Sequence, residues 1–248
     1  MTCPIDGIAI EMDRFLSLLS FSPDGWGDEI ASGLLVTVSL ALATLPFGLA
    51  AGFFIALAKQ SSEPSLRLAA NIYTTIFRGL PELLTLFLVF YGAQLGVQQL
   101  ASFLGIETAI EINAFVAGMV ALGAVFSSYA SEVFLSAFRA IPHGQYEGGW
   151  AVGLSSFQTM RLIIFPQLVR LALPGLSNLW LILLKDTALV SVIGLSDIIR
   201  QVGIAARVTR EAFLFFGIAC LLYLALAMLS SVVFGYIERW ARRTEDVK

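Results

Sequence analysis

Four stretches of this chain run for twenty residues or more without an Asp, Glu, Lys or Arg: Ile30 to Ala58, Leu83 to Ile106, Ile112 to Ser131 and Ala212 to Ile237. A helix rises about 1.5 Å per residue, so about 20 apolar residues cross the ~30 Å hydrocarbon core of a bilayer. Hydrophobic residues make up 58% of the chain and charged ones 13%, with a mean hydropathy of +0.84, too little polar material to coat a water-facing domain. The expectation is an all-α integral membrane protein. A further apolar stretch, Leu171 to Leu184, is too short to cross alone, but it resumes as TALVSVIGLS after Lys185-Asp186. We read it as one discontinuous span, of the kind tolerated where freed backbone groups line a cavity or are buried in protein. That gives five transmembrane helices, the fourth of them discontinuous.

An odd number of spans puts the termini on opposite sides, and basic residues decide which side is which. With the C-terminus inside, ten of the 15 Lys and Arg fall on the inner face: Lys59, Arg67, Arg78, Arg139, Arg161, Arg170, Arg239, Arg242, Arg243 and Lys248. Five fall outside: Arg14, Lys185, Arg200, Arg207 and Arg210. The expected topology is N-terminus outside and C-terminus cytoplasmic. Several function classes drop out. A net charge of -3 without a basic tract argues against nucleic acid. Cys3 and Cys220 fit no disulfide or metal spacing, and His143 is the single histidine, so no metal site is expected. The opening MTCPIDGIAIEMDRF has the wrong polarity for a signal peptide, and no cleavage is expected. No nucleophile with a partner base stands in a recognisable motif, so an enzyme is not expected. A phosphate-binding G-x-x-x-x-G-K-[ST] loop is also absent from this sequence, so ATP hydrolysis, if used, belongs to another subunit.

One stretch is too polar for lipid: from about Arg139 to Arg170 the chain has room for two short helices. Ser155 and Gln158 have the spacing of a capping box that starts a helix, and Gly153 suits the left-handed residue that closes a preceding helix begun near His143 to Glu147. Pro166 can terminate the second helix or redirect the chain. Gly148 and Gly149 cost the first helix about 1 kcal/mol each relative to alanine, while allowing close approach. Taken alone, this pattern also suits an amphipathic hairpin resting on lipid headgroups.

Charges at membrane depth are functional candidates. Glu132, in the third span, either faces a translocation path, pairs with an arginine of a partner chain, or sits in a buried ion pair that fixes helix packing. Glu82, at the mouth of the second span, either pairs with Arg78 at i,i+4 or stands near substrate. Lys185 and Asp186 either neutralise each other or mark a break that places Thr187 and Ser191 along a path for a zwitterion. Asn178 and Trp180 could add a hydrogen-bonding group and a wall, although a transmembrane aromatic is more often packing.

The polar stretch carries a resemblance. Glu147-Gly148-Gly149, three residues, Gly153, nine residues, then Ile163-Ile164-Phe165-Pro166 is similar to the E-A-A, G, I-x-L-P loop of ABC importer permeases, with glycines for the alanines and Phe165 for leucine. FRGLPELL (Phe77 to Leu84), YASEVFLSAFRAIPHGQYE (Tyr129 to Glu147) and LKDTALVSVIGLSDI (Leu184 to Ile198) also resemble stretches of polar amino acid importer permeases, the Q-type subunits that serve histidine, lysine, arginine and ornithine, or octopine and nopaline. The resemblance covers roughly residues 28 to 240 and implies a type I ABC importer permease fold in a bacterial inner membrane. In such permeases this loop docks on a cytoplasmic ATPase, which makes Glu147, Gly148, Gly149, Gly153, Ile163 and Pro166 the expected coupling residues. The implied partners are two copies of an ATPase carrying ATP and magnesium, a second permease half that is a paralogue, an external or periplasmic amino-acid-binding protein, and membrane lipid. No cofactor is expected in this chain. Glu82, Glu132 and Asp186 together lean toward a cationic amino acid or opine. The expected organisation is an external segment 1–28, a transmembrane domain 29–240 with a coupling loop 139–170, and a cytoplasmic tail 241–248. The alternative, a stand-alone secondary transporter or channel for small polar solutes, lacks the paired internal repeats usual in such carriers.

Overall fold

The structure, a computed structural model, describes residues 17–22, 25–105 and 111–243, and the described residues contain helices and no strand. Most of the expected external segment and residues 244–248 of the expected tail therefore lie outside the described residues. Five helices are long and apolar enough to cross a membrane: α1 (Gly27–Gln60), α3 (Glu82–Phe103), α4 (Ala114–Ala140), α6 (Ser156–Ile193) and α8 (Ala212–Arg243). Three shorter helices join them: α2 (Pro64–Gly79), α5 (Gly144–Ala151) and α7 (Ile198–Thr209).

The centre of the bundle is the seam between α1 and α4. Lipid tails give apolar helices no hydrophobic reason to associate, so close van der Waals contact between small residues has to hold them together. Along α1, Gly33, Thr37, Ala41, Thr44, Gly48, Gly52 and Ala56 recur at spacings of three or four and are all buried. A Cβ on Gly52 would stand 2.8 Å from the Ala130 Cβ and 3.0 Å from the Ser127 carbonyl oxygen of α4, so the two backbones touch there. The Thr44 hydroxyl in this seam is satisfied by donating to the Leu40 carbonyl at 2.7 Å.

Two departures from the sequence-based expectation concern α6. The second helix of the polar stretch is not a separate element: it begins at Ser156 and continues without interruption into the fourth span. Pro166 does not terminate it. A proline lacks the N–H for the i−4 bond and its ring collides with that carbonyl, and here the turn before it, Met160–Ile164, widens to π geometry, leaving Pro166 in the first turn of the α segment Phe165–Asp186. At the other end, Lys185 and Asp186 remain α-helical and the chain then tightens to a 3-10 helix over Thr187–Ile193. Thr187 and Ser191 reinforce that tightening by donating back to Leu184 and Ala188 carbonyls at 2.7 and 2.8 Å. Gly194, at φ 97°, closes it.

Two helices escaped the sequence reading. Pro64 opens α2 in its first turn. The helix buries Ala70 and Thr74 and is tied to α4 by the Tyr73 hydroxyl, which shares a 2.8 Å hydrogen bond with Ser127 and lies 3.1 Å from the Ala124 carbonyl as its donor. It ends at Gly79 because Pro81 holds Leu80 extended (ψ 143°), and α3 restarts at Glu82. The second omission, α7, is capped by buried Asp197, whose Oδ1 accepts from the Arg200 amide at 2.9 Å.

Burial pushes the Asp197 carboxyl up to about 6, overriding the amide hydrogen bonds and the Arg200 charge that act in the opposite direction. In the unfolded chain an aspartate titrates near 3.9. The folded state therefore holds a proton that the unfolded state releases, and stability falls as pH rises from about 4 to about 6, by on the order of 3 kcal/mol in full. Asp197→Asn keeps a capping oxygen and removes the titration. Detergent melting curves of the wild type are expected to shift downward between pH 4 and 6 more than those of the variant; identical shifts would refute the assignment.

Candidate functional site

The helical hairpin closes on itself through local chemistry. Helix α5 stops where Gly153 turns left-handed, at φ 84°, and α6 starts at the Ser155 cap. Ser155 Oγ accepts from the Gln158 amide at 3.3 Å and Gln158 Oε1 accepts from the Ser155 amide at 2.9 Å, a reciprocal capping box. Gln167 then ties the two arms, donating to Gln145 Oε1 at 3.1 Å and to the Ile163 carbonyl at 2.9 Å. The two neighbouring glycines have different jobs. A Cβ on Gly149 would come within 2.6 Å of Thr159 Cγ2 and 3.2 Å of Ile163 Cδ1, whereas one on Gly148 would meet nothing within 4 Å. Gly149 is small so that α5 can lie against the start of α6.

That asymmetry gives a paired expectation. Gly148→Ala should leave the fold intact and gain up to about 1 kcal/mol of helix propensity. Gly149→Ala should cost about 1–3 kcal/mol, because Thr159 is buried and β-branched and cannot swing aside. Combining it with Thr159→Ala should restore stability, since Thr159 Oγ1 makes no hydrogen bond among the described residues. Thermal unfolding of the three variants in detergent reads this directly.

Outward, the hairpin presents groups that a linker would not. Val152 and Phe157 are 75% and 73% exposed and Trp150 47%, an apolar surface at the turn where α5 gives way to the first turn of α6. Glu147 stands beside them, its carboxylate 3.0 Å from His143 Nδ1 one turn earlier and both side chains open to solvent. Ile163 packs against the core from the π segment, with Pro166 just beyond it.

The second cluster lies where α1, α2 and α4 meet. Glu132 Oε1 accepts from Lys59 Nζ at 2.6 Å and from Arg78 Nη1 at 3.1 Å, so Glu132 is held by cations of its own chain. Arg78 also lies over the Tyr129 ring, 5.5 Å from its centroid. Arg78 and Glu82 are therefore not an i,i+4 pair, because the break at Gly79-Leu80-Pro81 separates them onto two helices. Lys185 and Asp186 form no ion pair with each other among the described residues, since adjacent helical positions point in different directions. Asp186 is instead within electrostatic range of Glu82 as well as Lys185. It shares a small cavity with Tyr129, Leu122, Phe126, Leu179 and Leu183.

Residues 26–243 match the family described as binding-protein-dependent transport system inner membrane component. This chain belongs to that family. The permease is 41% identical over 229 residues to the nopaline transport system permease protein NocQ of Agrobacterium fabrum, covering 92% of this chain and 97% of that protein. It is 38% identical over 215 residues to the histidine/lysine/arginine/ornithine transport system permease protein HisQ of Salmonella typhimurium, covering 87% and 94%. Among solved structures, the crystal structure of an amino acid ABC transporter with histidines matches at a TM-score of 0.70 and 30% identity over 96% of this chain and 99% of that one. The MetNI methionine ABC transporter in its inward-facing form, at TM-score 0.67 and 17% identity over 86% and 95%, shares the fold. The permease is thus a multi-pass inner membrane subunit of a transport system.

Within the permease, the sequence-nominated residues divide. Asp186 lines one cavity with Tyr129 and is within electrostatic range of Glu82, whereas Glu132 is joined to Tyr129 only by way of Arg78. Trp180 is buried against Phe234 of α8, ring centroids 6.3 Å apart, which is packing. Asn178 lies in a groove between α6 and α8 that also holds Ser177 and Glu238, hydrogen bonded to each other at 3.1 Å. Thr187 is buried and Ser191 spends its hydroxyl on its own helix. Lys59, Tyr73 and Tyr129 were not singled out from sequence; a lone lysine closing an apolar run was the available signal for the first.

Proposed function

We propose that this permease is the membrane half-channel of an ATP-driven importer for polar, basic amino acids or opines, powered by a separate ATPase through the hairpin from Glu147 to Pro166. The observation that carries the reading is the hairpin: locked by its own capping box, with α5 knitted to α6 through Gly149 and Thr159, and exposing Trp150, Val152 and Phe157 around its turn. An apolar, self-supporting surface of this kind suits a protein partner. The relatives named for nopaline and for histidine, lysine, arginine and ornithine transport support the substrate class. Glu82, Glu132 and Asp186 are the acidic residues of the proposed route.

In this reading the N-terminus is outside, the C-terminus and the hairpin are cytoplasmic, and residues 29–240 form the transporting unit. Two ATPase copies bind ATP and magnesium, a paralogous second permease half completes the route, and an external binding protein delivers the substrate. Nucleotide-driven closure of the ATPases would push on the two hairpins, and the unbroken α6 would carry that push into the bundle. Tagging this chain and purifying it from its native membrane tests the assembly. The expected result is recovery of an ATPase and a second permease, with uptake into liposomes that requires ATP; a chain recovered alone that transports without ATP would overturn the reading.

A further inference from the structure

Helix α7 carries two arginines that neither the hairpin nor the acidic residues of the bundle engage. Its apolar face, Ile198, Val202, Ala205 and Ala206, is buried in a core shared with Ile30 of α1 and Phe215 of α8. Arg200, Gly203 and Arg207 recur at i, i+3 and i+7, one above another along the helix. They line a cavity of about 470 Å³ whose facing wall is Val192, Ala212 and Phe216. A Cβ on Gly203 would meet nothing within 4 Å, so the interval between the two arginines is open. Each guanidinium is steadied at one edge: Arg200 Nη1 donates to the Ser191 carbonyl at 3.3 Å and Arg207 Nε to the Gly203 carbonyl at 3.1 Å. Neither enters an ion pair among the described residues.

Helix electrostatics does not account for this pair. Arg207, in the last turn, suits the negative end of the helix dipole, but Arg200 is the third residue of α7, at the positive end, where a cation is disfavoured. Asp197, the cap, bonds the Arg200 amide and not its guanidinium. A guanidinium presents five N–H donors in a planar fork that matches phosphate, so most of both forks is open to an anion. Position selects the anion. The arginines lie on the connection between two spans, whereas Val192 ends the first span and Ala212 and Phe216 open the second, all three exposed. An acidic protein arriving from water would meet the arginines and leave the apolar wall within the span uncovered. A phospholipid meets both demands, with phosphate on the forks and an acyl chain along Phe216. We infer that Arg200 and Arg207 hold the headgroup phosphate of one anionic phospholipid, seated between α7 and the start of α8.

The test is native mass spectrometry of the assembly purified with this chain, stripped of lipid by detergent and titrated with phosphatidylglycerol, phosphatidylcholine or water-soluble glycerol phosphate. Wild type should hold one phosphatidylglycerol about tenfold more tightly than phosphatidylcholine, the size of one hydrogen bond between charged groups, and glycerol phosphate in large excess should not displace it. Arg207 is exposed and donates to a carbonyl of its own helix, so Arg207→Gln should keep the wild-type melting temperature in the absence of lipid. It should nevertheless bind phosphatidylglycerol about tenfold more weakly, and adding Arg200→Gln should erase the preference over phosphatidylcholine. Wild-type binding of phosphatidylglycerol by Arg207→Gln and by the double variant overturns the inference. Displacement by glycerol phosphate overturns it as well, because that marks a site for soluble anions. So does a double variant that keeps its phosphatidylglycerol but loses stimulation of ATP hydrolysis by an external binding protein, which assigns the arginines to protein docking.

Discussion

Gly52→Leu is expected to prevent the folded protein from accumulating in the membrane. The first added atom would already lie 2.8 Å from the Ala130 Cβ, 3.0 Å from the Ser127 carbonyl oxygen and 3.2 Å from the Ser131 amide nitrogen. Two of these are backbone atoms of a long helix and cannot move singly, so the whole α1 and α4 seam would have to open. That removes the close contact on which helix association in lipid depends, and we expect a loss of more than about 4 kcal/mol. Gly96→Leu in α3 is the control, because a side chain there meets nothing within 4 Å. Quantifying both variants in the membrane fraction, and their dispersity after solubilisation, should show the first nearly absent and the second near wild type; equal recovery would contradict the seam.

The second large effect is expected from Glu132→Ala. Removing one member of a fully buried pair costs about 3–5 kcal/mol, mostly because the other charge is left without compensation; the Glu132 side chain is 36% exposed, which lowers the expected loss to about 2 kcal/mol. Here the stranded group is Lys59, since Arg78 has solvent access. Adding Lys59→Met to Glu132→Ala should therefore recover a large part of the loss, and a thermal double-mutant cycle would report strong coupling between the two sites. If the double variant melts as low as Glu132→Ala alone, the stranded charge is not the cause.

The spans were legible because a bilayer imposes a coarse filter: length without charge is enough to find Ile30 to Ala58 inside α1 and Ala212 to Ile237 inside α8. The hairpin was legible for a different reason. Gly153, Ser155 and Gln158 act within a few residues of one another, so their spacing alone encodes their geometry. What stayed hidden needed a distant partner. Nothing near Gly148 and Gly149 says which of them is indispensable, because the answer is set by Thr159 across the turn. Glu132 meets Lys59, 73 residues away, and Arg78, and only the fold brings them together. Pro166 misled because a proline ordinarily stops a helix, while a widened π turn ahead of it lets the helix run on. Helix α2 was missed because its buried face is thin, carrying Ala70 and Thr74 between exposed leucines and isoleucines.

The claim that this permease is driven through its hairpin is tested most directly at Glu147. Its carboxylate makes an exposed pair with His143, the residue that caps its helix, an interaction worth about 0.2–1 kcal/mol, so reversing the charge leaves the fold standing. Melting temperature and membrane abundance of Glu147→Lys should therefore match wild type. In reconstituted liposomes, ATP-driven uptake by the variant should fall at least tenfold and the ATPase should be lost on purification. Full uptake with full ATPase retention in Glu147→Lys would contradict the account.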